Sequence, residues 1–191
     1  AMKPYYDAAG VEVPTAMPKP NFTPFGDAHL EVLLRHPPAV VSFHFGLPEA
    51  HAVTALKEAG CKILSSATTV EEARWLAARG VDAIIAQGWE AGGHRGVFLD
   101  LENDAQGGLF SLLPQVVDAG DLPVIAAGGI ADGRGIAAAF ALGAAGVQIG
   151  TAFITAPDAR PKQHHPESEA QGHDSSPRIS RADAGRPARA H

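Results

Sequence analysis

This sequence predicts an α/β fold, the C-terminal part of a parallel β/α barrel. Three observations carry the prediction. Between about residues 29 and 155, short apolar runs alternate with amphipathic stretches, the pattern of consecutive β/α units. A glycine follows each amphipathic stretch, where a left-handed residue commonly ends a helix. Two glycine clusters stand immediately after strand-like runs, which in a parallel barrel is the catalytic rim.

The elements follow in order. Residues 1–28 contain Pro4, Pro14, Pro18, Pro20 and Pro24. Proline fixes its backbone and lacks an N–H, so that spacing prevents long helices and central strands. The zone reads as an extended crossing segment with room for a short helix at its start, and with a flexible linker as the alternative. Residues 29–156 form the barrel portion. Strands are expected at 39–43, 62–65, 82–86, 123–127 and 146–150, and helices at 48–59, 70–78, 109–119 and 133–142. Runs that are apolar throughout fit strands buried on both faces of a parallel sheet. Thr69 and Glu72 make a capping-box signature for the second helix. Gly60, Gly80, Gly120 and Gly143 occupy the expected helix-terminating positions. Cys61, just before Ile63 and Leu64, reads as a core residue, with a reactive thiol as the alternative. Residues 157–191 change character. Ile179 is the one larger apolar residue among histidine, serine, proline, arginine and acids. Such a segment buries too little apolar surface to offset chain ordering, so a disordered polar tail is expected. His164, His165 and His173 within it read as solvated rather than as a metal site.

Composition excludes several function classes. The formal net charge of −6 leaves no electrostatic footprint for nucleic acid. No apolar run approaches the roughly 20 residues that span a bilayer. The start, Ala1-Met2-Lys3-Pro4-Tyr5, lacks the apolar stretch of a signal peptide. A single cysteine permits no internal disulfide and suits the cytoplasm.

The glycine clusters carry the chemistry. The first runs Gln87-Gly88-Trp89-Glu90-Ala91-Gly92-Gly93-His94-Arg95-Gly96; the second is Gly128-Gly129-Ile130-Ala131-Asp132-Gly133 and leads into a helix. Glycine lets backbone N–H groups approach a phosphate without side-chain interference. A helix N-terminus adds about half a positive charge toward the same anion. A third element, Gln148-Ile149-Gly150-Thr151, ends the next strand with a small, hydroxyl-bearing pair. Each alone is a weak signal, since a Gly-Gly pair is often just a turn. The ordered set is stronger, because phosphate sites made by the loops after the last two strands recur in barrels. His94 is the side chain of the first cluster suited to proton transfer, since imidazole changes protonation nearest neutral pH. A loop histidine that merely binds backbone is the alternative. Arg95 reads as a solvated or phosphate-facing charge. Glu90 is left unassigned, and Trp89 is read equally as a stacking platform or a core residue. His44, after the first strand, also lies on the rim as a possible pocket residue. His29, His36 and His51 read as surface positions.

Four segments together resemble the nitronate monooxygenase family. They are Val40-Val41-Ser42-Phe43-His44-Phe45-Gly46, the Gln87–Gly96 cluster with its Glu-Ala-Gly-Gly-His core, residues 125–135, and Gln148-Ile149-Gly150-Thr151-Ala152-Phe153. The resemblance covers roughly residues 1–155. It implies a TIM (β/α)8 barrel in which the strands present here correspond to four through eight. Strands one to three would precede them, and a closing helix would stand where the polar tail lies. It implies a flavin mononucleotide (FMN) enzyme that oxidises alkyl nitronates with O2 to a carbonyl compound and nitrite. Its partners would be a small-molecule nitronate or nitroalkane and O2. It implies that His94 is the catalytic base. It implies flavin contacts from Gln87 and Gly92, from Gly129, and from Gln148, Ile149, Gly150 and Thr151, with Gly93 and Gly128 as neighbours. Two other readings remain open: a flavin-dependent enoyl-carrier-protein reductase on a similar barrel, and a flavin-barrel fragment without catalysis.

Overall fold

The structure, a computed structural model, describes residues 6–7, 10, 12, 23–99 and 107–154, with the backbone of 178–180 and 188–190. Helix α1 (Asp27–Arg35) leads to β1 (Val40–Phe43), α2 (Ala50–Glu58), β2 (Lys62–Ala67), α3 (Val70–Ala77) and β3 (Ala83–Gln87). Then come α4 (Leu109–Asp118), β4 (Val124–Ala127), α5 (Gly133–Ala141), β5 (Gly146–Gln148) and a 3-10 turn at Thr151–Phe153. The five strands form one sheet in chain order, every neighbouring pair parallel. All strand C-termini therefore open on one rim, and each helix returns the chain to the opposite edge. This is the α/β barrel architecture expected of strands four to eight.

The apolar periodicity of the helices explains the core. Leu56 of α2, Leu76 of α3 and Leu113 of α4 are fully buried, as is Ile63 of β2. Each such side chain contributes about 1.5–3 kcal/mol on burial. Cys61 is buried with them. β3, with all five residues buried, has the two-sided burial that continuous apolar runs predict. β1 does not. Its burial alternates, and Val40 is half exposed and Ser42 exposed, on a strand at the edge of the sheet.

Helix ends follow local chemistry. Gly60 ends α2 at φ +88°, with Gly60 N–H donating to Lys57 and Cys61 N–H to Leu56, a Schellman pair. Gly143 ends α5 the same way, through Phe140 and Ala139. Gly80 is also left-handed, but Gly120 is not, so one of the four expected glycine stops fails; α4 closes through Ala119 N–H to Val116 instead. Helix α1 crosses the boundary placed at residue 28. It starts after Gly26 and stops before Pro37 and Pro38, which cannot continue a helix. In the tail, Arg178–Ser180 and Ala188–Ala190 pair as antiparallel strands β6 and β7. The rest of the tail, including His164, His165 and His173, and most of residues 1–22 lie outside the described residues. Among the described residues no helix is long and apolar enough to cross a membrane, and no cluster of three metal-ligating side chains occurs.

Candidate active site on the C-terminal rim

The rim brings together the loops after β1, β3, β4 and β5, and their glycines are explained first by one another. A Cβ at Gly128 would stand 2.8 Å from the backbone nitrogen of Ala91, and Gly128 itself has φ +115°. Only glycine lets the β3 and β4 loops pack backbone against backbone here. A Cβ at Gly96 would stand 2.7 Å from Cε1 of His44. The His44 ring thus occupies the space that a larger residue at 96 would take, which joins the β1 and β3 loops.

His94 is exposed at this rim, flanked by Gly93 at φ +71°. Its carbonyl accepts two side-chain hydrogen bonds, from Gln87 Nε2 at 3.0 Å and from His44 Nε2 at 3.2 Å. Gln87 Oε1 accepts the Gly96 N–H at 2.7 Å. The buried Gln87 amide therefore clamps both ends of the turn 94–96. Among the described residues those bonds leave one amide hydrogen and some acceptor capacity on its side chain. Phe45, at φ +69°, lies edge-on to His94 with ring centroids 6.1 Å apart. A non-glycine residue in that backbone region is uncommon and strained, and such residues gather at functional sites.

Arg95 is wholly buried, contrary to the solvated or phosphate-facing charge expected. Its guanidinium donates to the Gln87 and Gly88 carbonyls, which fastens the start of the same loop, and lies 5.7 Å from the Trp89 ring. Glu90, unassigned from sequence, has a structural task. Its carboxylate accepts from Leu109 N–H at 2.8 and 3.1 Å, serving the orphan donor at the start of α4.

The elements expected to grip a phosphate lie on the same rim. Among the described residues, no acceptor takes the N–H of Gly129, Gly150 or Thr151. Gly129 has φ +67°, and Gln148, Gly150 and Thr151 are exposed on the rim, with Ile149 partly buried behind them. The N-terminus of α5 offers fewer donors than the sequence suggested, because Asp132 Oδ1 accepts from Arg134 and Gly135 N–H. The Arg134 guanidinium, then the Gly135 N–H, holds the Asp132 carboxyl below the usual carboxylate range. Any anion at this rim thus depends on the loop donors more than on the helix end.

Two sets of contacts escaped sequence reading, the first made by the residue read only as a capping-box partner. Glu72 of α3 is 1% exposed and accepts four hydrogen bonds. Oε2 takes Thr68 N–H at 2.7 Å and Thr68 Oγ1–H at 2.8 Å; Oε1 takes Phe98 N–H at 2.7 Å and Leu99 N–H at 3.3 Å. The capping box is thus half made: Thr69 Oγ1 accepts the Glu72 N–H, but the carboxylate turns inward to the loop beyond Gly96. The second is made by Ser66, 5% exposed, whose Oγ lies 3.0 Å from His44 Nδ1. Nothing in the local sequence marks either contact, since both join segments distant along the chain. His29, His36 and His51 are exposed.

The sequence model of the nitronate monooxygenase family matches residues 7–191, running beyond residue 155 where the resemblance was placed. A nitronate monooxygenase of Paraburkholderia phytofirmans is 50% identical over 155 residues, covering 80% of this chain and 42% of the relative. One of Pseudomonas aeruginosa is 48% identical over 158 residues, covering 82% and 45%. The chain thus spans about half the length of the curated relatives it matches. Among solved structures, nitroalkane oxidase from Streptomyces ansochromogenes superposes with a TM-score of 0.80 at 48% identity, over 85% of this chain and 47% of that one. FabK from Thermotoga maritima superposes with a TM-score of 0.73 at 35% identity, over 88% and 51%.

Proposed function

The chain belongs to the nitronate monooxygenase family, and from that premise we propose that it forms the flavin-binding, proton-removing part of an enzyme that oxidises alkyl nitronates. The reaction would consume O2 and give a carbonyl compound and nitrite. One observation carries the reading: an exposed imidazole, His94, stands on a doubly clamped turn at the same rim as the N–H groups of Gly129, Gly150 and Thr151, which meet no acceptor among the described residues.

The residues present fit the phosphate of FMN. Gly129, Gly150 and Thr151 have N–H groups to give, and a Cβ at Gly150 would meet no heavy atom within 4 Å, so an anion has room to approach. Gly128 shares the loop of Gly129, Gly92 and Gly93 stand on the neighbouring β3 loop, and Gln87 and Gln148 end β3 and β5. Bound FMN would supply the electron-transfer chemistry. The chain's own residues bind and orient. His94 takes the proton from the carbon next to the nitro group, which converts a neutral nitroalkane to the nitronate. The Phe45 ring gives that proton transfer an apolar wall.

The test compares His94→Asn on two substrates. Turnover of neutral nitroalkanes falls about 10²- to 10⁴-fold, the usual worth of a positioned base. Turnover of pre-formed nitronate changes far less, because no proton need be removed. Equal losses on both would remove His94 from the role. A flavin spectrum of the purified chain tests the cofactor directly. Reduction of bound flavin by NADH instead of nitronate would favour the enoyl-carrier-protein reductase reading.

A further inference from the structure

We propose that His44 is a positioning residue: its imidazole holds the carbonyl of His94 and so fixes the turn that presents His94 at the rim. The importance of this hold for catalysis rests on the reading of His94 as the base, but the hold itself does not.

The hydrogen-bonding roles follow from the partners. A carbonyl oxygen only accepts, so Nε2 of His44 carries the proton it shares with His94 at 3.2 Å. In the neutral ring, Nδ1 then accepts from the hydroxyl of Ser66 at 3.0 Å. Ser66 sits within β2 and is 5% exposed, so the relay is anchored in the sheet. The carbonyl of residue 94 is one bond from the Cα that carries the imidazole. Fixing that carbonyl from two sides, through Gln87 and His44, sets the direction in which the His94 side chain leaves the turn.

Two packing facts support a dedicated seat for His44. A Cβ at Gly96 would meet His44 Cε1 at 2.7 Å, Nδ1 at 3.0 Å and Ser66 Cβ at 3.2 Å, so the ring fits only over glycine. Phe45, the next residue, holds a left-handed backbone at φ +69° and keeps its ring 4.3 Å from His44 and 6.1 Å from His94. The strain at Phe45 is the backbone conformation that lets both rings reach the β3 loop. The motifs His44-Phe45-Gly46 and Gly93-His94-Arg95-Gly96 are therefore one structural unit.

The experiment measures amide hydrogen exchange in the full chain, without substrate. The probe is the Gly96 N–H, which is bonded to Gln87 and closes the turn. In His44→Leu its exchange should accelerate about fivefold or more, as expected when one hydrogen bond is lost. His44→Gln offers a donor for the carbonyl and an acceptor for Ser66, and should return exchange to within about twofold of the parent. Ser66→Ala, a milder change, should give an intermediate rate should the leucine variant not fold. Unchanged exchange in the variants, or a glutamine variant as fast as the leucine one, overturns the proposal. Nitroethane turnover in the same proteins is a separate reading. Exchange that responds while His94→Asn leaves nitroethane turnover at the parent level would refute the base assignment and leave the positioning intact.

Discussion

Replacing Glu72 by glutamine tests how the rim loop is held, and the structure sets the size of the effect. The carboxylate only accepts, and it does so from Thr68 N–H and Oγ1–H on one oxygen and from Phe98 and Leu99 N–H on the other. Glutamine keeps the shape but gives up one accepting oxygen for an NH2 group. Its best placement puts the remaining oxygen toward Phe98 and Leu99 and the NH2 toward Thr68. The Thr68 hydroxyl can rotate and accept, but the Thr68 N–H then faces a donor. One buried N–H left unsatisfied costs about 1–3 kcal/mol, and weakening the surviving bonds from charged to neutral costs about 1 kcal/mol more. The expected loss is thus about 2–4 kcal/mol, a large part of the roughly 5–15 kcal/mol that keeps a domain folded. Glu72→Ala leaves several buried donors without partners at once and should lose more. Urea unfolding followed by far-ultraviolet circular dichroism gives both values. A glutamine variant within about 0.5 kcal/mol of the parent, the scatter of neutral surface changes, would refute the account of Glu72 as an obligate acceptor.

The remaining predictions concern the site and the fold margin. Gly129→Val adds a branched side chain at φ +67°, where its Cβ would stand 3.0 Å from Glu90 Cβ; losing one charge-assisted hydrogen bond, about 1.5–3 kcal/mol, raises the flavin dissociation constant at least tenfold. Stoichiometric flavin in that variant after gel filtration would move the phosphate site elsewhere. Asp82 is partly buried, which opposes its ionisation, but the Ile63 N–H and the Lys62 and Lys57 ammonium groups outweigh this and lower its pKa. Its contribution is therefore complete above the unfolded-state value of about 3.9 and is lost as pH falls through the lower folded-state value. Asp82→Asn should flatten the stability profile in that acid window, and an unaltered slope would show that the pairing with Lys62 at 3.1 Å is inconsequential.

What the sequence determined by itself was periodic and local. The alternation of apolar runs and amphipathic stretches located β1 to β5 and α2 to α5, because a buried parallel strand and a one-faced helix each write their own spacing into the chain. Gly60 and Gly143 announced helix ends for the same reason: the left-handed backbone they adopt is a requirement of neighbouring residues alone. Family motifs then singled out His94 and the glycine pairs. Tertiary structure decided the rest. Arg95 looks like a surface charge in sequence and is wholly buried, because the carbonyls it serves, Gln87 and Gly88, are turned toward it only once the β3 loop folds back. Glu72 looks like a helix cap and instead ties Thr68 to residues 98 and 99. Gly128 and Gly96 look like phosphate-loop glycines, yet each is required by a neighbour from another strand, Ala91 in one case and His44 in the other. Contacts of this kind join segments tens of residues apart and leave no periodic trace. They exist only because parallel strands deliver all their C-terminal loops to one rim, where backbone must pack against backbone.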